Sequence, residues 1–258
     1  MNRDIIIYKE ISFMSFTRLN MEGVINCFAY KPYNFRGTQV NENMQQRNYD
    51  KLCKDLDVKI DKIIRPNQTH TNIVRDVNEY NLDDEFNNVD GLVTNLKGIG
   101  LGIAVADCQA IMLYDPKKEV IGNVHSGWPG TLNRIASNAI NLMKDKYGSN
   151  PNDIEVYINP SILKCCFEVD EDVMIQFKEK FQDIDINNFI QLGNYKVGKQ
   201  KYYIDTVGIN KQILINLGVK QENIVTSNIC SKCNKEYIHS HRGDGKDAGR
   251  NLALICLN

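Results

Sequence analysis

Hydrophobic and polar positions alternate in short blocks along the chain, and these blocks predict strands and helices in mixed order. Residues 22–29 are patterned as a strand, and residues 43–56 place apolar side chains four positions apart, which predicts an amphipathic helix. A further strand is predicted at about 60–65 and leads into a polar segment that ends at His70. The first quarter of the chain therefore already mixes both element types.

The most apolar region lies between residues 98 and 125. A run bounded by glycines ends at Cys108, and two strands, 109–114 and 119–125, follow on either side of a four-residue turn. Strands this rich in Ile and Val are typical of a sheet that is covered on both faces. If the two strands pair as a hairpin, their open ends place Cys108 beside His125.

The second half of the chain continues this mixture. Apolar residues from Leu132 to Met143 recur at helical spacing, and Gly148 ends that helix. Asp205 is placed as the N-cap of another helix, which Gly218 ends. The other predicted elements are a helix at about 170–182 and strands at 154–158, 189–192, 201–205, 223–226, 236–240 and 251–257.

This pattern predicts a mixed, layered α/β architecture instead of a doubly wound parallel sheet. No low-complexity tract, repeat or linker-like segment interrupts the sequence, so we expect residues 1–258 to form a single domain.

Charge and apolar content narrow the classes of function. The formal net charge is −1 without long runs of like charge, which disfavours nucleic acid and membrane surfaces as partners. No apolar stretch is long enough for a signal peptide or a membrane span, so we expect a cytoplasmic protein. A small-molecule substrate is the expected partner, with the chain acting as a monomer or weak homodimer.

Only four histidines occur, so their positions are informative. His70, Cys108 and His125 offer two nitrogen ligands and one sulfur ligand, which suits zinc with a fourth position open for water or substrate. Alternatively, Cys108 and His125 form a thiolate–imidazolium pair for covalent catalysis, with Asp107 or Asn123 nearby. A third interpretation is that Cys108 is a small buried residue and the histidines satisfy backbone groups. Spacing alone leaves all three open.

Three further residues are candidates for substrate binding or proton transfer. Arg242 lies in a glycine-containing loop and can clamp a phosphate or a carboxylate with two hydrogen bonds. Trp128, the only tryptophan, either covers the pocket or packs against the adjacent glycine corner. Asp107 either transfers a proton or accepts backbone hydrogen bonds at the end of its strand.

The chain has eight cysteines, which we expect to be thiols, metal ligands or small buried residues. The adjacent pair Cys165-Cys166 is not predicted to form a disulfide, because neighbouring cysteines rarely bond to each other. Cys230 and Cys233, followed by His239 and His241, resemble a structural zinc knuckle. Two histidines one residue apart on a strand point to opposite faces, however, which makes this ligand set an uncommon one.

Several of these segments resemble, in the same order, the motifs of laccase-domain (YfiH-like) proteins. The resemblance covers about residues 60 to 257 and includes Gln68-Thr69-His70, Asp90-Gly91-Leu92-Val93-Thr94, Ala106-Asp107-Cys108, Val124-His125-Ser126-Gly127-Trp128, Cys165-Cys166-Phe167-Glu168-Val169 and Ser240-His241-Arg242. It implies a layered α/β/β/α sandwich, with zinc bound by His70, Cys108 and His125.

The same resemblance implies an activity. Family members were long labelled polyphenol oxidases or laccases, and those studied as enzymes resemble purine nucleoside phosphorylases with adenosine deaminase and methylthioadenosine phosphorylase activity. The implied function is a zinc-dependent purine nucleoside enzyme with Cys108, His125 and Asp107 as catalytic candidates. The rivals are a cysteine hydrolase or deamidase that uses Cys108 and His125, a copper-dependent polyphenol oxidase, and a non-catalytic zinc-binding module. Copper is the weaker metal candidate, because four histidines are too few for a multicopper cluster.

Two departures from the family pattern bear on phosphate. Pro129 stands where the family has the arginine of a Gly-Trp-Arg-Gly corner, and Asn159-Pro160 replaces the usual Gly-Pro. If that arginine contacts phosphate, phosphorolysis is the activity most affected, whereas deamination depends on water and is affected less.

Overall fold

A computed structural model describes residues 5–8, 13–16, 23–37 and 42–258. Within these ranges the strands are β1 (Ile5–Tyr8), β2 (Phe13–Phe16), β3 (Val24–Ala29), β4 (Lys62–Ile64), β5 (Val74–Asp76), β6 (Gly91–Thr94), β7 (Ile99–Val105), β8 (Gln109–Asp115), β9 (Val120–Ser126), β10 (Glu155–Ile158), β11 (Glu168–Asp170), β12 (Ile190–Lys196), β13 (Lys199–Ile204), β14 (Ile224–Thr226) and β15 (Asn251–Leu257). The α-helices are α1 (Glu42–Leu56), α2 (Trp128–Leu132), α3 (Ile135–Tyr147), α4 (Glu171–Lys180), α5 (Thr206–Asn216) and α6 (His241–Asp244).

The strands form two large sheets and a small one. The first sheet has the order β1-β2-β3-β15-β7-β4, and the second has the order β14-β10-β8-β9-β6-β5. The small sheet is β11-β13-β12. Most neighbours are antiparallel, but β4–β7, β5–β6 and β10–β14 are parallel pairs. The predicted mixed α/β class is therefore confirmed.

Alternation of side chains along the strands explains how the layers stack. Leu101 and Ile103 of β7 point into a core shared with Met112 of β8, so the two large sheets pack face to face. On the outer face of the first sheet, Leu254 of β15 packs with Leu52 of α1. Helix α1 is therefore the outermost layer on this side, and the first sheet is the layer beneath it.

The outer face of the second sheet is covered in the same way. Leu113 follows the inward-facing Met112 on β8 and therefore points outward, where it packs with α3 and α5. Its neighbours there are Ala139, Ile140 and Leu214. The layers therefore run α1, first sheet, second sheet, and α3 with α5, which confirms the α/β/β/α sandwich. Because both faces of each large sheet are covered, their central strands β7, β8, β9 and β15 are buried along their whole length.

Two local predictions were wrong. Leu132 belongs to the short helix α2, and α3 begins only at Ile135, after Arg134 adopts a left-handed conformation (φ 59°). The predicted strand at 236–240 is a set of turns. There the carbonyl of Asn234 accepts hydrogen bonds from the N–H groups of Tyr237 and Ile238, so local bonds satisfy the backbone without a strand partner.

The helices are short, and α1 with 15 residues is the longest one described. Across the described part of the chain, none of them combines the length and apolar character that crossing a lipid bilayer requires.

Candidate metal centre and active site

The three predicted metal ligands converge at one end of the second sheet. Strands β8 and β9 pair with Ala110 opposite His125, which places Cys108 beside that histidine at the mouth of the hairpin, as predicted. His70 reaches the same point from the loop that follows β4. The Cys108 Sγ–His70 Nε2 distance is 3.8 Å, and the ligand atoms of the three residues lie within 4.8 Å of one another.

These distances suit a tetrahedral metal. Zn–N bonds of about 2.0 Å and a Zn–S bond of about 2.3 Å place sulfur and nitrogen about 3.5 Å apart. His125 is buried, Cys108 is partly buried and His70 is exposed, so the site opens on the His70 side. Three protein ligands and an open side are the arrangement of catalytic zinc sites, whereas structural sites are closed by four ligands.

Gly127 makes room for this group of ligands. A Cβ atom at this position would lie 2.7 Å from His70 Cδ2 and 3.2 Å from Cys108 Sγ. The residue after β9 must therefore lack a side chain if both ligands are to keep their positions.

We expect Gly127→Ala to lower zinc affinity about 10–100-fold, the range found when the support of a metal ligand is lost. The added methyl group would push the His70 ring away from Cys108. Zinc dissociation constants measured by competition with a chromophoric chelator test this. Gly130→Ala is the matched control in the same corner, because its closest contact would be 3.3 Å, with the His125 carbonyl oxygen. Equal zinc affinity in the two variants would show that Gly127 does not shape the site.

Asp90 holds both histidines from beneath the site. It is fully buried at the entrance to β6. Its Oδ1 accepts hydrogen bonds from the backbone N–H of His70 (3.0 Å) and from His125 Nδ1 (2.7 Å). Its Oδ2 accepts bonds from the backbone N–H and the hydroxyl of Thr71 (2.7 and 2.8 Å). Since Nδ1 of His125 is committed to Asp90, Nε2 is the ring atom left for a metal or for Cys108.

Sequence reasoning assigned no role to Asp90. The available signal was a carboxylate directly before the largely apolar segment Gly91–Thr94, where an unpaired charge would be costly to bury.

The ionisable groups of the site shift one another's pKa values toward their charged forms. Burial would raise the pKa of Asp90, but hydrogen bonds from His125 and Thr71 lower it to about 2. Burial would also raise the pKa of Cys108, but the charge and hydrogen bonds of His125, together with His70, lower it to about 6. Burial would lower the pKa of His125, yet Cys108 and Asp90 raise it to about 9. The site thus favours the thiolate of Cys108, the form that binds metals and acts as a nucleophile.

Asp107, next to Cys108, is tied to the loops around the site. Its Oδ1 accepts hydrogen bonds from the hydroxyls of Ser231 and Ser240 (both 2.6 Å), and its Oδ2 accepts one from the backbone N–H of Arg242. Its main chain has a φ of 84°. This geometry supports an anchoring role, and proton transfer by Asp107 stays a prediction.

Asn123, which was considered as a partner of the Cys108–His125 pair, lies elsewhere. It is buried between the two large sheets, and its Nδ2 donates to the carbonyl groups of Leu101 (2.9 Å) and Ala253 (3.0 Å). The prediction that Asn123 lies near the Cys108–His125 pair is therefore wrong, because its side chain points into the inner core and not toward the hairpin mouth.

A cavity of about 1180 Å³ opens over the three ligands. Both predicted substrate-binding residues lie in its wall: Trp128 at the start of α2, and Arg242 in α6. The Arg242 guanidinium donates to the Glu168 carbonyl (3.0 Å) and lies 5.9 Å from the Phe167 ring centre. The wall also carries three further arginines and three further aromatic residues: Arg36, Arg65, Arg250, Phe35, Tyr49 and Phe167.

The zinc knuckle considered at Cys230 and Cys233 has a different set of neighbours. His239 is buried and its Nε2 bonds to the carbonyl of Tyr33 (2.8 Å), while His241 opens α6 at the cavity wall. Neither histidine joins the two cysteines, which lie instead with Cys165 and Cys166. This ligand set, which the sequence had already marked as an uncommon one, does not form, because turns stand in place of the predicted strand at 236–240.

Comparison with known proteins agrees with the resemblance found in the sequence. The chain is 37% identical over 189 residues to purine nucleoside phosphorylase CA_C1699 of Clostridium acetobutylicum, covering 73% of this chain and 74% of that protein. It is 34% identical over 211 residues to adenosine deaminase RL5 from an unknown prokaryotic organism, covering 79% and 78%. With purine nucleoside phosphorylase YlmD of Bacillus subtilis it shares 34% identity over 166 residues, which span 64% of this chain and 58% of that protein.

A solved structure shares this fold. The crystal structure of the hypothetical protein YfiH of Bacillus licheniformis superimposes with a TM-score of 0.85 at 25% identity, covering 96% of this chain and 97% of that one. A family model described as "Multi-copper polyphenol oxidoreductase laccase" matches residues 18–258, further toward the N-terminus than the motifs in the sequence reach. By this match the chain belongs to the laccase-like family of that description.

Proposed function

We propose that this protein is a zinc-dependent purine nucleoside enzyme that catalyses phosphorolysis of adenosine, inosine or methylthioadenosine and deamination of adenosine. Relatives in its family are named for purine nucleoside phosphorylase and adenosine deaminase activity. The observation that carries the proposal is the three-ligand site of His70, Cys108 and His125, which is open toward a large cavity.

The donor set fits zinc. When bound there, zinc supplies a Lewis acid and lowers the pKa of a coordinated water to about 7. Asp90 orients the His125 ring and holds the backbone of His70 in place through the hydrogen bonds described above. The partly buried Cys108, whose pKa is lowered to about 6, would supply the negative charge that holds a divalent cation at this site.

The cavity walls suit a nucleoside and an anion. Trp128 and Phe167 offer flat apolar surfaces on which a purine ring can stack. Arginines 36, 65, 242 and 250 surround the same space, and guanidinium groups bind phosphate with paired hydrogen bonds. The Arg65 Nη1 atom donates to Tyr49 Oη and to the carbonyl of Phe35 (both 3.1 Å), which holds its guanidinium in place at the wall.

Pro129 bears on which of the two reactions dominates. It lies at the start of α2, where its fixed φ suits the first turn of a helix, and its carbonyl accepts hydrogen bonds from Asn133. The cation that the family pattern provides at this position is replaced by an apolar ring. Phosphate binding would therefore rest on the cavity arginines, whereas attack by water does not need that cation.

A cysteine hydrolase is the second candidate, because Cys108 lies against His125 and its pKa is lowered to about 6. In that mechanism the thiolate attacks a carbonyl or amide carbon and His125 protonates the leaving group. A multicopper oxidase is disfavoured, because two histidines and one cysteine form the described ligand group.

The test is turnover of adenosine and inosine by the zinc-loaded protein, with and without phosphate. Phosphorolysis would give adenine or hypoxanthine and ribose 1-phosphate only when phosphate is present, and deamination would give inosine from adenosine in both conditions. Chelation of zinc should abolish both products, and added zinc should restore them. A metal-free protein that turns over neither nucleoside, and whose Cys108 is rapidly alkylated, would contradict the proposal and support the hydrolase.

A further inference from the structure

Four cysteine sulfurs come together at a second place on the chain. Cys165 and Cys166 lie in the turn before β11, Cys230 lies in an isolated bridge after β14, and Cys233 lies in the turns that follow it. Their four Sγ atoms all lie within 4.8 Å of one another. The Cys233 sulfur is 3.5 Å from that of Cys166 and 3.9 Å from that of Cys165.

These separations match the edges of a tetrahedron. Four Zn–S bonds of about 2.3 Å in tetrahedral geometry place neighbouring sulfurs about 3.8 Å apart. A disulfide would require about 2.05 Å. We propose that Cys165, Cys166, Cys230 and Cys233 form a second, tetrathiolate zinc site, which shares no ligand with the His70–Cys108–His125 centre.

The surroundings are suited to thiolate ligands. Four thiolates around one Zn²⁺ carry a net charge of −2, and three lysines flank the cysteines in sequence: Lys164, Lys232 and Lys235. Soft sulfur ligands in a closed set of four select a structural zinc, since no position is left open for water or substrate.

The site would join two segments that have little regular structure. Between them, an isolated bridge pairs Ser161 with Cys230, and the Ser231 N–H donates to the Ser161 carbonyl (2.9 Å). The segment around Cys166 continues into Phe167, a residue of the cavity wall. The carbonyl of Cys166 accepts a hydrogen bond from the Arg242 guanidinium (3.5 Å).

The second segment is tied to the first metal centre. Ser231 and Ser240, on either side of the turns that carry Cys233, both donate to Asp107, the neighbour of Cys108. A zinc ion on the four cysteines would therefore fasten the cavity wall that carries Phe167 and Arg242, while taking no part in the reaction.

Metal stoichiometry tests the proposal independently of activity. The full chain, purified with zinc, is expected to contain two zinc ions by elemental analysis. Cys233→Ser and His70→Ala are each expected to retain one, and the double variant none. Cys53→Ser is the matched control, because Cys53 is a partly buried free cysteine on α1 outside both sites, and it should keep two.

X-ray absorption at the zinc edge of the wild-type protein makes the test independent of how the variants fold. Two sites, one with a single sulfur and one with four, average to about 2.5 sulfurs per zinc. One zinc per chain with about one sulfur ligand would overturn the proposal. A disulfide among the four cysteines in the freshly purified protein, found by mass spectrometry, or iron in place of zinc would overturn it as well.

Discussion

Cys108→Ala is expected to remove the metal of the His70–Cys108–His125 site and to lower purine nucleoside turnover by at least about 10²–10³-fold. The estimate follows because Lewis-acid stabilisation contributes several kcal/mol to the transition state, and each 1.4 kcal/mol corresponds to about tenfold in rate. Loss of the thiolate also removes the only anionic ligand among the three. The measurements are zinc content and the kcat/KM for adenosine in the same preparation.

His70→Ala distinguishes the metal enzyme from the cysteine hydrolase. A zinc mechanism loses metal and activity together in this variant, because His70 is one of three ligands. A hydrolase would keep most of its rate, since Cys108 and His125 remain side by side. Cys53→Ala, which removes a thiol far from the hairpin mouth, is the control for general effects of cysteine loss. Full turnover by zinc-free Cys108→Ala protein would refute both mechanisms.

Asp90→Asn is expected to lower zinc affinity about 10–100-fold, the usual cost of losing a carboxylate that orients a histidine ligand. An asparagine at this position keeps the size of the side chain but loses the charge. Asp90 accepts hydrogen bonds from His125, Thr71 and the backbone of His70. The side-chain NH2 group of an asparagine would face some of these donors and could not accept their hydrogen bonds. The His125 ring would then lose its fixed orientation, and the backbone of His70 would lose its anchor.

The zinc dissociation constant and the unfolding midpoint of the metal-free protein should both be measured for Asp90→Asn. The dissociation constant should rise about 10–100-fold, because the ligands lose their support. The unfolding midpoint should fall, because Asp90 is fully buried and an unsatisfied buried donor destabilises the fold by about 1–3 kcal/mol. Asp84→Asn is the matched control, as Asp84 is an exposed aspartate in the same loop region. An Asp90→Asn protein that binds zinc as tightly as the Asp84→Asn protein would show that Asp90 does not support the ligands.

Local patterns predicted much of the sandwich and part of its site. The hairpin β8–β9 follows from two apolar strands around a short turn, and its register alone brings Cys108 and His125 together. The N-cap at Asp205 was predicted for the same kind of reason, and its side chain accepts a hydrogen bond from the Gly208 N–H (2.9 Å). In each case the interacting groups are close in sequence, so residue types and spacing carry the information.

Groups that are far apart in sequence lay beyond such reasoning. Asp90 is hydrogen-bonded to His125, which lies 35 residues further along the chain, and the sequence around Asp90 does not indicate that partner. The cysteines at 165 and 233 are 68 residues apart, and the sequence offered Cys233 only the nearer histidines, in a ligand set that it marked as uncommon.

The sequence by itself thus determined most of the element types, the layered class and the hairpin that joins two of the three metal ligands. Only the tertiary structure decided that Asp90 supports the site, that Asp107 anchors the surrounding loops and that four cysteines meet. The reason is physical: hairpin pairing and helix capping are short-range interactions, whereas these contacts exist only once the packing of the two sheets has brought distant loops to one edge.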